Sequence, residues 1–285
     1  MHDRGDFSHY NLPAGLKSDQ IDLLFPGWEA GNERVTVICP HDDDGLLGAG
    51  YAMLATLANE AEVYPFILCN GCAGYSTPEE KENIVERRKD ETVRAYQALG
   101  ISANNIIRFD YPDFSLLPNI GWLMPWGKEG TFPRSLQIMR ELRITRLLLP
   151  NGYREHADHE AAYRIGAYDG PQVGDNILAD WGGAPPIKSF LQYAVWGDFS
   201  PEDALVTGRD LALRGNRAIV ARLGVEETIQ KGIREFRSQE KVVEGLIEAR
   251  KGRRRGERVI EVYLAFDPRP SLDYVAYHEA ISAIR

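Results

Sequence analysis

The chain has 285 residues, 44% of them hydrophobic, and a formal net charge of -9. That length and apolar content suit one substantial core rather than a disordered chain. The acidic balance argues against sequence-independent nucleic-acid binding, which needs excess Lys and Arg to neutralise phosphates.

No apolar run approaches the ~20 residues needed to cross a bilayer. The opening MHDRGDFSHYNLPAG lacks the apolar centre of a signal peptide. Three cysteines cannot pair completely. These features lead to the expectation of a cytoplasmic protein with no membrane span.

In chain order, residues 1–32 read as an N-terminal arm with a short helix at 18–24. ERVTVIC is short, β-branched and apolar, and reads as a buried strand. GLLGAGYAMLATLANEA follows with helical periodicity, and EVYPFILC is a second strand ending in the turn NGCAGYS. TPEEKENIVERRKDETVRAYQALG reads as a helix, with Thr77 as N-cap, Pro78 at the first helical position and Gly100 closing the end. NIIRFDY, SLQIMRELR and ITRLLLP continue as strand, helix and strand.

This alternation predicts an α/β fold, a Rossmann-like three-layer sandwich with a mostly parallel sheet. Ligands of such folds bind beyond the carboxyl ends of the strands. Residues 112–133 and 169–187 read as long loops, a length that is uncommon unless functional. SFLQYAVW and RVIEVYLAF read as later strands, with helices over 215–251 between them. The expectation is a single domain over 1–285, with a helical and strand elaboration from about residue 187.

Two loops carry the candidate chemistry. After ERVTVIC stand His41, Asp42, Asp43 and Asp44. Three like charges in a row are unfavourable without a cation. His41 and Asp44 form a workable pair for Zn²⁺ or a similar divalent ion, leaving Asp43 as a proton acceptor. A solvated acidic turn capping the next helix is the bland alternative. After ITRLLLP stand His156, Asp158 and His159, again where a helix would begin. Two chain-distant loops at one sheet end can thus supply His, Asp and His with an open position, the layout of a catalytic metal.

The glycine spacing Gly45, Gly48, Gly50 is not that of a dinucleotide loop, and the aspartates would repel a pyrophosphate. Cys69 and Cys72 have C-x-x-C spacing but sit at a turn, where packing is the simpler reading than redox chemistry. RKGRRRGER, residues 250–258, reads as a solvated basic loop. Trp122, Trp126 and Trp181 read as loop anchors before sugar platforms.

These motifs together resemble the PIG-L/LmbE family of metal-dependent de-N-acetylases. Its H-P-D-D-E-x-x-G-x-G motif stands here as HDDDGLLGAG and its H-P-D-H motif as HADH. RKDETVRAYQALG matches the family's Arg-x-x-Glu stretch at Arg88 and Glu91, and EFRSQEK its Ser-Gln element at Ser238 and Gln239. Asp42 replaces the motif's proline, Gly45 its glutamate, and Ala157 the proline of the second motif.

The resemblance implies an LmbE-like fold and removal of an N-acetyl group from an amino sugar, such as an N-acetylglucosamine conjugate, with release of acetate. Implied metal ligands are His41, Asp44 and His159, holding Zn²⁺, Fe²⁺ or another divalent transition metal. Asp43 is the implied general base. His156, oriented by Asp158, is the implied oxyanion stabiliser. Arg88 and Tyr153 are the implied substrate contacts. Two alternatives stay open: a two-metal phosphoesterase with Asp42 as the added carboxylate, and a non-catalytic sugar-binding protein. The expected partner is a small N-acetyl sugar conjugate, not nucleic acid, and a homo-oligomer stays open.

Overall fold

Strand formation begins earlier than the sequence suggested. FSHYN forms β1 (Phe7–Asn11) and LKS forms β2 (Leu16–Ser18), an antiparallel pair at one sheet edge. Residues 18–24 hold a single 3-10 turn at Ile21–Leu23 instead of a helix. The arm is therefore part of the sheet, because β1 has half-buried alternation that needs a neighbouring strand. The computed structural model describes residues 2–199 and 213–284.

The parallel half matches expectation. β3 (Arg34–Cys39), β4 (Glu62–Cys69), β5 (Ile107–Tyr111), β6 (Arg146–Pro150) and β7 (Ser189–Tyr193) all run the same way. β8 (Arg217–Arg222), the two-residue β9 (Arg254–Arg255) and β10 (Arg258–Phe266) complete the sheet. The order is β2-β1-β8-β10-β7-β6-β3-β4-β5, with β9 on β10, and β10 is antiparallel to both β7 and β8. The segment RAIVAR, expected within a helical region, thus forms β8. The elaboration from residue 187 extends the sheet itself.

Helices cover both faces: α1 (Asp44–Ala58), α2 (Ile84–Gln97), α3 (Thr131–Glu141), α4 (Ala157–Asp169), α5 (Leu223–Ile233) and α6 (Glu240–Arg250). Strand alternation sorts the core into two layers. Val35, Val37 and Leu148 pack with Ala49, Met53, Tyr96 and Ile229 of α1, α2 and α5. Ile38, Leu147 and Leu149 pack with Leu136, Met139, Ala161 and Ile165 of α3 and α4. A last helix, α7 (Tyr274–Ala283), is exposed along its length. Among the described residues no helix is long and apolar enough to cross a membrane.

Two local expectations need correction. The helix read over 77–100 is split: Thr77 and Glu80 form a capping box around a 3-10 turn at Pro78–Glu80, and α2 starts only at Ile84. The basic run is not simply solvated. Arg250 is buried and donates to both oxygens of Glu226, at 2.8 and 2.7 Å, and to the Leu47 carbonyl. Arg253 reaches the same carbonyl at 2.7 Å. Two cations of the run therefore grip α1, the helix that begins with Asp44.

Candidate active site

β3 ends at Cys39, and the sheet's twist and the short loop deliver His41 to Asp44 at its carboxyl end. β6 ends at Pro150 beside β3, so the loop before α4 arrives at the same edge. His156 precedes α4, and its Nδ1 accepts the Asp158 backbone N–H at 3.1 Å. This capping bond fixes the proton of neutral His156 on Nε2.

Asp44 is buried at the centre. Its Oδ2 accepts the His41 backbone N–H at 2.8 Å and lies 3.1 Å from His41 Nδ1 and 3.2 Å from His159 Nε2. Burial alone would raise its pKa, yet His159 and His41 outweigh that and hold it well below the carboxylate range. Burial likewise resists charge on the two histidines. Asp158 and Asp44 nevertheless lift His41, and Asp44 and Glu155 lift His159 to about 9. Asp43 is pushed up, chiefly by burial and by Asp44, against the pull of Arg88.

One atom tests whether these residues suit a cation. The buried Nε2 of His159 has no hydrogen-bond partner, although Asp44 Oδ2 is near. Glu155 Oε2 faces the other ring nitrogen at 2.7 Å, which leaves the Nε2 lone pair for a metal. Ligand atoms of His41, Asp44 and His159 lie within 4.8 Å of one another. His41 also groups with His156 and Asp158, and with Cys69 and Asp113. Those sets fit less well. Asp158 accepts N–H groups from Phe114 and Leu116, Asp113 accepts them from Gly71 and Ala73, and burial pushes the Cys69 thiol far up. Cys39 and Cys72 are free thiols like Cys69, among the described residues.

The structure accounts for both departures in the first motif. Asp42 points inward, fully buried, to Arg88 Nε at 3.2 Å, Thr92 Oγ1 at 2.6 Å and Arg108. Burial would raise its pKa, but the two guanidinium groups lower it. It is spent on the interior and is not a spare carboxylate for a second metal, contrary to the phosphoesterase expectation. Gly45 has no room for a side chain: a Cβ there would stand 2.6 Å from Tyr96 Oη and 2.7 Å from Cys39 Sγ.

The Arg-x-x-Glu and Ser-Gln elements turn out to be paired. Glu91 accepts from the Ser238 backbone at 2.8 Å and its hydroxyl at 2.6 Å, and Arg88 donates to Gln239. Arg88 also faces Asp43 at 3.5 Å. The Asp158 carboxylate lies nearer His41 Nε2, at 3.3 Å, than His156 Nδ1, at 3.7 Å.

A cavity of about 230 Å³ opens here, lined by His41, Asp43, Asp44, Arg88, His156 and Gln239, with Phe114 and Trp196 at its mouth. Tyr153 is not among its lining residues. Its ring is stacked by Arg154. Trp122 and Trp181 pack against each other at 5.0 Å, as loop anchors do. A larger space of about 820 Å³ between β7, β10 and the 13–26 segment contains none of the expected site residues. Sequence reasoning missed Glu155, Asp113, Phe114 and Trp196. Glu155 was findable, four residues before His159 at the start of a helix.

Residues 36–168 match the family model described as PIG-L: GlcNAc-PI de-N-acetylase. Over those residues the chain is similar to that family. No curated protein sequence matches the chain. Solved structures share the fold of this chain. The conserved protein TT1542 from Thermus thermophilus is 20% identical, with a TM-score of 0.61, over 84% of this chain and 96% of that one. N,N'-diacetylchitobiose deacetylase from Pyrococcus horikoshii is 17% identical, with a TM-score of 0.60, over 87% and 91%. GalB, the 4-carboxy-2-hydroxymuconate hydratase from Pseudomonas putida, is 15% identical, with a TM-score of 0.58, over 85% and 99%. A hydratase and a deacetylase on one fold mean that the PIG-L/LmbE-like architecture alone does not set the reaction.

Proposed function

We propose that this chain is a divalent-metal-dependent amide hydrolase that removes an N-acetyl group from an amino sugar conjugate, such as an N-acetylglucosamine conjugate, and releases acetate. The observation that carries this reading is the cluster of His41, Asp44 and His159, whose first two members line one small cavity together with Asp43 and His156 while His159 backs them from the interior. The family model and the chitobiose deacetylase neighbour support it.

His41, Asp44 and His159 would hold the metal, with Zn²⁺ or Fe²⁺ as candidates from the nitrogen and oxygen donor set. Such an ion supplies an acidified water and a polarised carbonyl. Asp43 takes the proton of the attacking water as general base, a role suited to its raised pKa. His156 presents its Nε2–H to the carbonyl oxygen as negative charge develops there. The carbon–nitrogen bond then breaks, and the proton held by Asp43 passes to the departing amine. Arg88 holds Asp43 and Gln239 in place at the cavity wall.

The test is an acetate-release screen over N-acetylglucosamine conjugates with Zn²⁺, Fe²⁺ or Ni²⁺ supplied. Metal-dependent acetate release, lost after chelation, supports the reading. Stoichiometric sugar binding without acetate would replace it with the non-catalytic alternative.

A further inference from the structure

Two large aromatic side chains stand exposed at the mouth of the cavity. Phe114 is 67% exposed and Trp196 56%. Such exposure is unfavourable in a free protein and marks a contact surface when it borders a site. Phe114 is also held at φ +60°, the left-handed region that a bulky side chain rarely adopts.

The backbone bonds explain how both are held. The Phe114 N–H donates to Asp158 Oδ2 at 2.7 Å, and that carboxylate faces His41. The Trp196 N–H donates to Glu155 Oε1 at 3.2 Å, and that carboxylate faces His159. Each ring is thus fixed by the acid that orients one histidine of the cluster. The Phe114 ring lies 4.5 Å from that of His156, and the Trp196 ring 5.0 Å from that of His159.

We infer that Phe114 and Trp196 form an aromatic clamp for an uncharged, apolar aglycone on the sugar conjugate, an aryl or alkyl group and not a phosphate ester. The inference rests on the amide-hydrolase reading above. Charge at the site points the same way. Among the described lining residues Arg88 is the only arginine or lysine, and Asp42, Asp43 and Gln239 already engage it. Val242, 53% exposed, extends the apolar lip. A phosphate at the mouth would meet carboxylates and aromatic edges without a free cation. An aryl group would meet two exposed rings, each in contact with a histidine of the cluster.

The test compares kcat/KM for acetate release from the phenyl glycoside, the methyl glycoside and the 1-phosphate of N-acetylglucosamine. The holoenzyme should prefer the phenyl over the methyl glycoside by at least about fivefold, and disfavour the phosphate. Phe114→Gly suits the left-handed backbone, so it removes the ring without straining the loop. It and Trp196→Ala should bring the phenyl-to-methyl ratio towards one, while Trp196→Phe retains most of the preference. Equal rates on all three substrates, or a preference that survives both truncations, overturns the clamp. If no conjugate releases acetate, the hydrolase reading fails separately. The clamp is then read from quenching of tryptophan fluorescence by the phenyl and methyl glycosides, in the unmodified protein and in Trp196→Phe. Stronger quenching by the phenyl glycoside, lost in the variant, supports it; no difference overturns it.

Discussion

Glu155 Oε2 lies 2.7 Å from His159 Nδ1, and its other oxygen accepts the backbone N–H groups of Val195, Trp196 and Gly197. One buried carboxylate therefore fixes a candidate ligand and the segment that follows β7. Gly197 must stay small, because a Cβ there would approach Glu155 Cγ to 2.7 Å.

Glu155→Gln should weaken metal binding about 10–100-fold, since an acid behind a ligating imidazole sets its tautomer and basicity. Competition against a chelator measures this directly. Unchanged affinity would show that the Glu155 bond organises only the loop.

Asp43→Asn should retain metal yet lose about 10²–10⁴ of the turnover, the range for removal of a general base. Metal content by elemental analysis and acetate release by coupled assay separate the two properties. Near-full activity in a metal-replete variant would return the base role to another group. Thorough chelation of the unmodified protein should abolish turnover, and add-back of single metals should restore it.

Asp42→Asn should destabilise the fold by up to about 3–5 kcal/mol, because Arg88 and Arg108 lose the buried carboxylate they share and keep only Asp43, at 3.5 Å, and the more exposed Asp110, at 3.1 Å. Denaturant unfolding gives the loss. Metal stoichiometry of whatever folds should remain that of the unmodified chain, since Asp42 faces away from the cluster.

A pH effect is expected far from the cluster. Burial lifts the pKa of Asp169 to about 7 although Ser135 donates to it at 2.8 Å. The folded chain then keeps a proton that the unfolded chain has already released above pH ~4. Stability from this group falls as pH rises from about 4 to 7 and is level above that. Asp169→Asn should remove the loss, with a gain over the unmodified chain of about 3–4 kcal/mol at pH 8 and little at pH 4. Parallel unfolding curves at the two pH values would refute the burial argument.

Local pattern made the parallel half of the fold legible. ERVTVIC, EVYPFILC and ITRLLLP are continuous apolar runs because both of their faces are covered, and the helices between them announce themselves by period and caps. His41, Asp44 and His159 were legible as candidates for the same reason: each lies in the loop or first helical turn that follows a strand the sequence already marks. β1 and β8 were not, since a partly buried antiparallel strand carries a weak alternation that a short polar arm or a helix start can imitate.

Tertiary structure alone decided the rest. The three consecutive aspartates look alike in sequence, yet Asp44 meets two histidines, Asp43 borders the cavity, and Asp42 turns inward to arginines 46 and 66 residues away. Phe114 and Trp196 come from loops that share no motif, and become neighbours of the cluster only through Asp158 and Glu155. A sequence determines which groups a loop carries. Which charge is neutralised, and which ring is left exposed, depends on partners that only the folded chain brings within a few ångströms.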